Sequence, residues 1–241
     1  MFKPHIVDKV LPYALLGMTA ETGVIDAVSY LALGRVFTAN MTGNLVFLAF
    51  ASTGTPEVSL ARTLSALLAF LVGAAVSGRI LASSGVEDAI RPAMFSFGLE
   101  TVFLAAATVS AVGYNRSPTP VPFQLYSIIV LTAVAMGIRN AAVRKLGVPD
   151  LTTTVLTLTV TGLAADSSLA GGSNPRWQRR TGSILAMVLG AALGAIIVRH
   201  SVFAALSLAA ATSLFCFALL VFLVRWNSLG EPARSARQST V

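Results

Sequence analysis

Six long apolar runs constrain the fold of this chain more than any other feature. They cover about residues 11–34, 59–82, 92–113, 122–145, 181–199 and 201–224. Each run is long enough for a helix that crosses the roughly 30 Å hydrocarbon layer of a membrane, which takes about 20 residues. Because 55% of the residues are hydrophobic and only 11% are charged, the composition is not that of a soluble domain. The sequence therefore predicts an all-α polytopic membrane protein.

Two further apolar stretches, about 40–52 and 152–165, are too short for a comfortable crossing. Stretches of this length are typical of re-entrant or buried half-helices. The basic residues distinguish the two topologies: eight crossings leave 10 of the 17 on the cytoplasmic side, whereas six crossings leave 13 of the 17 there. The positive-inside rule thus favours six crossings, with both termini cytoplasmic.

The second half of the chain echoes the first at an offset of about 114 to 118 residues. Because three crossings per half is an odd number, the two copies are expected to have opposite orientations, as in many secondary transporters. The matched elements are Gly23-x-x-Asp26-Ala27 with Gly137-x-x-Asn140-Ala141, Leu33-Gly34 with Leu146-Gly147, Arg62-Thr63-x-Ser65 with Arg180-Thr181-x-Ser183, and Gly73-Ala74-Ala75 with Gly190-Ala191-Ala192.

The repeat predicts the division of the chain. A cytoplasmic N-terminus (1–10) precedes the first membrane repeat (11–113), and a linker (114–121) leads to the second repeat (122–225), which a basic cytoplasmic tail (226–241) follows. The net charge of +7 comes mainly from basic residues that stand at the ends of apolar runs. Such residues anchor helices at the membrane surface, so the bilayer and a small molecule are the expected partners, and nucleic acid is not.

The segment G-V-I-D-A-V-S-Y-L-A-L-G-R-V-F-T-A-N-M-T-G-N, with G-I-R-N-A-A and T-T-T-V-L-T in the second half, carries a resemblance. Over about residues 11 to 225 the chain resembles the YoaK-like family of bacterial membrane proteins, and N-M-T-G-N is the most specific element. The family is one of unknown function. The resemblance therefore implies a six-span protein of the bacterial inner membrane, and it implies no activity.

Three acidic residues, Glu21, Asp26 and Glu100, stand inside apolar runs. An ionised side chain there costs about 2.5–3.5 kcal/mol on insertion scales, so each requires a partner or a function. One interpretation is proton or cation coupling; the other is structural, with the acids protonated or paired with Arg35, Arg79 or Arg139. Five helical positions separate Glu21 from Asp26 by about 140°, so the two are not expected to form a carboxylate pair.

Polar residues in the two short segments are the candidate substrate ligands. Asn40, Thr42 and Asn44 stand at alternate positions and would point the same way in an extended chain, with Gly43 allowing close backbone approach. Structural alternatives are the capping of broken helices and bonds between helices. The counterparts in the second half are Thr153, Thr154 and Thr157.

Asp26 and Asn140 occupy matched positions in the two halves, so only the first half keeps a titratable group there. Asp26 is therefore the leading candidate for a functional acid, and both Asp26 and Asn140 are further candidate substrate ligands. Arg139 stands beside Asn140 and could be a counter-ion, but we expect it to extend to the cytoplasmic surface instead.

These features favour a secondary transporter of a small polar or anionic metabolite, which would function without a cofactor or a metal ion. A passive channel or a non-transporting assembly subunit is the alternative. An enzyme is disfavoured because neither histidine, His5 or His200, lies at depth, and with Cys216 alone no Cys-based metal site can form. Since six crossings are few for a carrier, a homodimer is a further expectation.

Overall fold

The computed structural model describes residues 7–82, 85, 89–114, 122–151, 153–154 and 156–229. Within these ranges every regular element is helical, with one short 3₁₀ helix at Ser168–Ala170 and no β-strand. The α-helices are α1 (Val7–Ala32), α2 (Met41–Ser52), α3 (Leu60–Leu81), α4 (Ile90–Ser110), α5 (Pro122–Leu146), α6 (Thr157–Ala165), α7 (Trp177–Val198) and α8 (Val202–Leu229). All six long apolar runs are helices, as the sequence predicts.

Five helices are long and apolar enough to cross a membrane, namely α3, α4, α5, α7 and the Val202–Phe222 part of α8. This count covers the described residues only. The first helix, α1, is 26 residues long, or about 39 Å at 1.5 Å per residue. Its charged residues, Glu21 and Asp26 among them, lower its hydropathy, so it is not among the five helices selected by length and hydropathy.

Some boundaries differ from the predicted ones. The second short helix, α6, begins at Thr157 rather than at residue 152, and α8 continues to Leu229, beyond the predicted start of the tail. In the N-terminal segment, α1 already begins at Val7. Residues 115–121 of the linker, residues 1–6 and residues 230–241 lie outside the described ranges.

Contacts between side chains fix the relative directions of the helices. Along α1 and α7, Leu16 lies beside Gly182 and Val24 beside Gly194, so these helices are parallel. Along α4 and α8, Gly98 lies beside Phe217, whereas Thr101 bonds to Ser213, so these helices are antiparallel.

Two apolar clusters give the directions of α3 and α5 relative to α1. The first half of α5 and the start of α3 pack with the second half of α1, from Val24 onward. Leu81 of α3 and Ala142 of α5 pack instead with the first half of α1, from Leu11 to Met18. Both α3 and α5 therefore run antiparallel to α1. The Tyr114 hydroxyl donates to the Ala32 carbonyl (3.1 Å), which places the ends of α4 and α1 together.

The bundle thus has two ends, which we name the Ala32 end and the Leu11 end after residues near the end and the start of α1. The connection containing α2 leaves α1 and enters α3 at the Ala32 end. Similarly, the connection containing α6 leaves α5 and enters α7 at the Leu11 end. Each short helix therefore begins and finishes at one end of the bundle.

Glycines bring two pairs of long helices into backbone contact. A Cβ at Gly73 of α3 would collide with the carbonyl of Val134, and one at Gly137 of α5 with the carbonyl of Phe70. The same arrangement joins α7 to α1: a Cβ at Gly190 would collide with the carbonyl of Ala20, and one at Gly23 with that of Met187. Small residues allow this close approach.

Candidate functional site

Arg139 lies at the centre of the bundle and is among the largest side chains that are fully buried. It is carried by the most buried of the candidate spanning helices, α5, whose adjacent Gly137 draws that helix against α3. The expectation that Arg139 reaches the cytoplasmic surface is therefore wrong. Since α5 continues to Leu146, the side chain is seven residues from the helix end, and inward contacts on α1 and α4 are nearer than water.

The guanidinium of Arg139 is bound from two sides. Its Nε donates to Glu100 Oε1 (2.9 Å), and its Nη2 forms ion pairs with the carboxylates of both Glu21 and Glu100. Its Nη1 donates to the Met18 carbonyl (2.8 Å) and to Thr22 Oγ1 (2.9 Å). We call Glu21, Glu100 and Arg139 the central charge cluster. It joins α1, α4 and α5 in the interior.

The central charge cluster is unbalanced in charge and in hydrogen bonds. With all three groups ionised, its two carboxylates and one guanidinium carry a net charge of −1 in the fully buried interior. Ser213 Oγ donates to Glu100 Oε1 (3.2 Å), and Glu21 Oε1 is met by Arg139 through the ion pair alone. The other oxygens, Glu21 Oε2 and Glu100 Oε2, are buried without a hydrogen-bond partner. Such a site can be neutralised by one proton or by one cation.

Asp26 is buried apart from this cluster, as the helical spacing predicts. The backbone N–H of Ala39 donates to its carboxylate, while Oδ1 is buried without a hydrogen-bond partner. The neighbouring Thr38 Oγ1 is also buried without a partner. None of the arginines considered as partners of the acids forms an ion pair with Asp26: Arg139 binds the two glutamates, and Arg35 pairs with Glu57 at the surface.

The N-M-T-G-N element folds differently from its prediction. Asn40 caps α2 by accepting from the N–H of Gly43 (3.3 Å), and the residues after it are helical. Asn44 is fully buried and holds Phe37 through two bonds: it accepts from the Phe37 N–H (2.9 Å) and donates to the Phe37 carbonyl (2.5 Å). Since Asn40 and Thr42 are exposed, the three side chains do not point the same way. The extended-chain argument is wrong because the helix begins at Met41.

The second half brings two of its predicted residues together. Thr154 Oγ1 donates to Asn140 Oδ1 (2.5 Å), and Asn140 Nδ2 donates to the carbonyl of Met136 (2.8 Å). Thr153 is buried and its hydroxyl has no partner, whereas Thr157, in the first turn of α6, is exposed. The matched positions Asp26 and Asn140 thus both bind the segment that leads to the short helix of their own half.

An ion-pair network at the Leu11 end was not predicted. Asp150 accepts from Arg176 Nε (2.6 Å) and Arg180 Nε (3.0 Å), and Arg180 also binds Asp166 (2.7 Å) and the Gly162 carbonyl (2.5 Å). Burial alone would raise the pKa of the Asp150 carboxyl, but the bonds from both arginines outweigh it and hold the pKa below its usual value. The sequence carries one signal for this network, namely an acidic residue in a loop, Asp150, and an arginine-rich start of α7.

A groove between α3 and α5 opens at the same end, with a volume of about 1020 Å³. Asn140 lies at one part of its wall and Asp150 at another. Among the described residues, no group of three or more His, Cys, Asp or Glu side chains is placed to hold a metal ion.

Comparison with known proteins identifies relatives of this chain. The model of a family described as "Protein of unknown function (DUF1275)" matches residues 14–219. The chain is also 33% identical over 155 residues to the UPF0700 transmembrane protein YoaK of Bacillus subtilis (strain 168). That alignment covers 64% of this chain and 65% of the relative, slightly less than two thirds of its length. No solved structure matches.

Proposed function

The chain belongs to the DUF1275 family of membrane proteins, which has no assigned activity, and we propose that it is a secondary transporter of a small polar or anionic metabolite. Its buried carboxylates take up and release the coupling proton, with Asp26 as the principal group. The two halves of the bundle move against each other to expose the site to either side of the membrane in turn.

The observation that carries this proposal is the excess of acid in the interior. Three acids, Glu21, Asp26 and Glu100, are buried within the spanning helices, whereas among the described residues Arg139 is the one arginine that pairs with any of them. A purely structural ion pair would balance its charges, because uncompensated charge in a membrane is costly. An excess of carboxylates instead provides places that bind a proton on one side of the membrane and release it on the other.

The helix directions support six crossings. Five helices qualify by length and hydropathy, and α1 lies parallel to α7, packed along it from Leu16 to Ala27. We infer that α1 is the sixth crossing, and that burial of its acids against neighbouring helices compensates for its lower hydropathy. The short helices α2 and α6, which begin and finish at one end of the bundle, are then re-entrant or interfacial.

The packing pattern supports two inverted repeats. In chain order, α1 to α4 of the first half correspond to α5 to α8 of the second, and α1 runs antiparallel to α5. The contact of α3 with α5 is repeated by that of α7 with α1, and the contact of α4 with α5 by that of α8 with α1. The glycine contacts of Gly73 and Gly137 correspond to those of Gly190 and Gly23 at the offsets found in the sequence.

Charge supports an orientation. The Leu11 end carries Arg144, Lys145, Arg176, Arg179 and Arg180, and both the start of α1 and the finish of α8 lie there. By the positive-inside rule this end is cytoplasmic, with the protein in the inner membrane of a bacterium.

A passive channel is the second candidate, since the α3–α5 groove already opens at one end. The buried acids argue against it, because passive flux needs no group that changes its protonation. A non-transporting membrane subunit is the remaining alternative function. Assembly as a homodimer is a separate part of the proposal.

Uptake into proteoliposomes tests the proposal. We expect one or more compounds of a metabolite panel to accumulate under an inward proton gradient. Asp26→Asn should abolish gradient-driven accumulation but retain exchange of labelled for unlabelled compound, because exchange requires the binding site and no net proton movement. Glu57→Gln, which removes a surface carboxylate, is the matched control and should behave as the parent protein.

Two outcomes would contradict transport coupled to Asp26. Flux of a compound that is independent of any gradient would identify a channel. If neither the parent protein nor the variants exceed empty vesicles for any compound, the transporter proposal fails.

A further inference from the structure

The groove between α3 and α5 has a composition that the proposed transport does not explain. One wall consists of residues about one turn apart on α3, and the other of the last two turns of α5 with the loop that follows. The lining residues are Phe70, Ala74, Gly78, Leu81, Ala82, Asn140, Ala141, Val143, Arg144, Lys145, Gly147, Val148, Pro149 and Asp150.

The α3 wall is apolar and contains small residues. Phe70 and Leu81 carry the larger side chains, and Ala74 and Gly78 leave space between them. No heavy atom lies within 4 Å of the place that a Cβ on Gly78 would take. The helix that forms this wall, α3, is one of those that we place in the membrane. In a bilayer an open apolar groove of this kind is filled by hydrocarbon chains rather than by water.

In the described part of the chain, no acidic side chain pairs with the cationic end of the groove. Arg144 and Lys145 stand in the last turn of α5 and form no ion pair within the described part of the chain. Asp150, the acid among the lining residues, is already bound by Arg176 and Arg180. Among the described residues, two positive charges therefore stand beside the apolar wall without an acidic partner, at the end of the bundle that we place at the lipid headgroups.

We propose that the α3–α5 groove binds an anionic phospholipid, with its phosphate between Arg144 and Lys145 and an acyl chain along Phe70, Ala74 and Gly78. Basic pockets between spanning helices on the cytoplasmic side are suited to acidic headgroups. The lipid would fill the groove beside α5, the helix that carries Arg139. This site does not depend on whether the protein transports anything.

Native mass spectrometry in mild detergent tests the site. Phosphatidylglycerol and phosphatidylcholine with the same acyl chains are added to the parent protein, and glycerol phosphate serves as the headgroup alone. We expect phosphatidylglycerol to be retained preferentially. Because each basic residue near the surface contributes about 1 kcal/mol, the double variant Arg144→Gln with Lys145→Gln should bind phosphatidylglycerol about 30-fold more weakly.

Two further variants separate the parts of the site. Arg179→Gln removes a basic residue at the same end but outside the groove, and it should leave the preference unchanged. Gly78→Leu fills the groove without changing its charge, and it should reduce retention of both phospholipids alike. Equal retention of the two lipids by the parent protein, or an unchanged preference in the double variant, would overturn the proposal. Binding of glycerol phosphate as tight as that of phosphatidylglycerol would identify a free-phosphate site instead.

Discussion

At the scale of single residues, Arg139 is the side chain that joins the buried polar groups of the interior. Its side chain donates to a glutamate, a threonine and a main-chain carbonyl, and its ion pairs hold α1 and α4 against α5. Each partner alone would be a costly polar group in the core. Together they form a cluster in which removal of the one positive charge leaves two carboxylates facing each other.

We therefore expect Arg139→Gln to destabilise the protein by about 3–5 kcal/mol, the usual effect of removing one partner from a buried ion pair. The triple variant that also carries Glu21→Gln and Glu100→Gln should recover most of this loss, because no uncompensated charge remains. The fraction of protein that stays monodisperse in size-exclusion chromatography after heating in detergent measures both effects. Equal losses in the single and triple variants would contradict the electrostatic explanation.

The sequence could predict which acids are buried but not what they bind. Glu21, Asp26 and Glu100 are recognisable because each stands inside an apolar run. The partner of the glutamates, however, is an arginine on α5, far away in the sequence. A residue seven positions from a helix end can turn outward or inward, and the direction depends on how α5 packs against its neighbours, which the sequence pattern does not determine.

At the scale of elements, the two short helices are held by different means. Asn44 fastens the start of α2 to the chain at Phe37, whereas α6 is held at its finish by the bonds of Arg180 to Gly162 and Asp166. Asp150 connects this network to the end of α5. The loops on either side of α6 are thereby attached to the start of α7.

We expect Asp150→Asn to lower stability at pH 7 by about 1.5–3 kcal/mol, the contribution of hydrogen bonds to charged groups. Since the pKa of Asp150 is lower in the folded protein than its ordinary value of 3.8, its stabilisation is complete above pH 3.8 and is lost as the pH falls further. The difference from the parent protein should therefore disappear at the acidic end of a series of thermal unfolding curves.

Glu57→Gln is the control for this measurement, because it removes a carboxylate from an exposed ion pair with Arg35. Exposed pairs contribute about 0–1 kcal/mol, so this variant should change stability little at any pH. A difference for Asp150→Asn that does not shrink as the pH falls below 3.8 would show that its effect is not due to the charge.

The positions of the elements could largely be predicted from hydrophobicity, because each long run of about 20 apolar residues becomes one helix. The local structure of the short segments could not. The sequence pattern places Asn40, Thr42 and Asn44 on an extended chain, but capping by Asn40 starts the helix one residue later and turns their side chains apart. Capping geometry depends on backbone angles, which a pattern of polar residues does not determine.

At the scale of the whole molecule, the proposed six crossings would place particular loops on particular sides of the membrane. In a Cys216→Ala background, single cysteines at Ser52 and Asn115 should react with a membrane-impermeant reagent in intact cells. A cysteine at Ser84, in the connection between α3 and α4, should react only after the membrane is opened. Cys216 itself is buried, so its removal lowers the background without exposing a new site. Reaction of Ser52 and Asn115 only in opened cells would contradict six crossings.

The glycine contacts set a limit on how the two halves can move. Where Gly73 and Gly137 bring α3 against α5, and Gly190 and Gly23 bring α7 against α1, main chains touch with no side chain between them. In the proposed transport cycle, these close contacts would be the points about which the helices tilt. Such tilting would widen the gap between the helices at one end of the bundle and narrow it at the other, so that the proposed pathway would open to one side at a time.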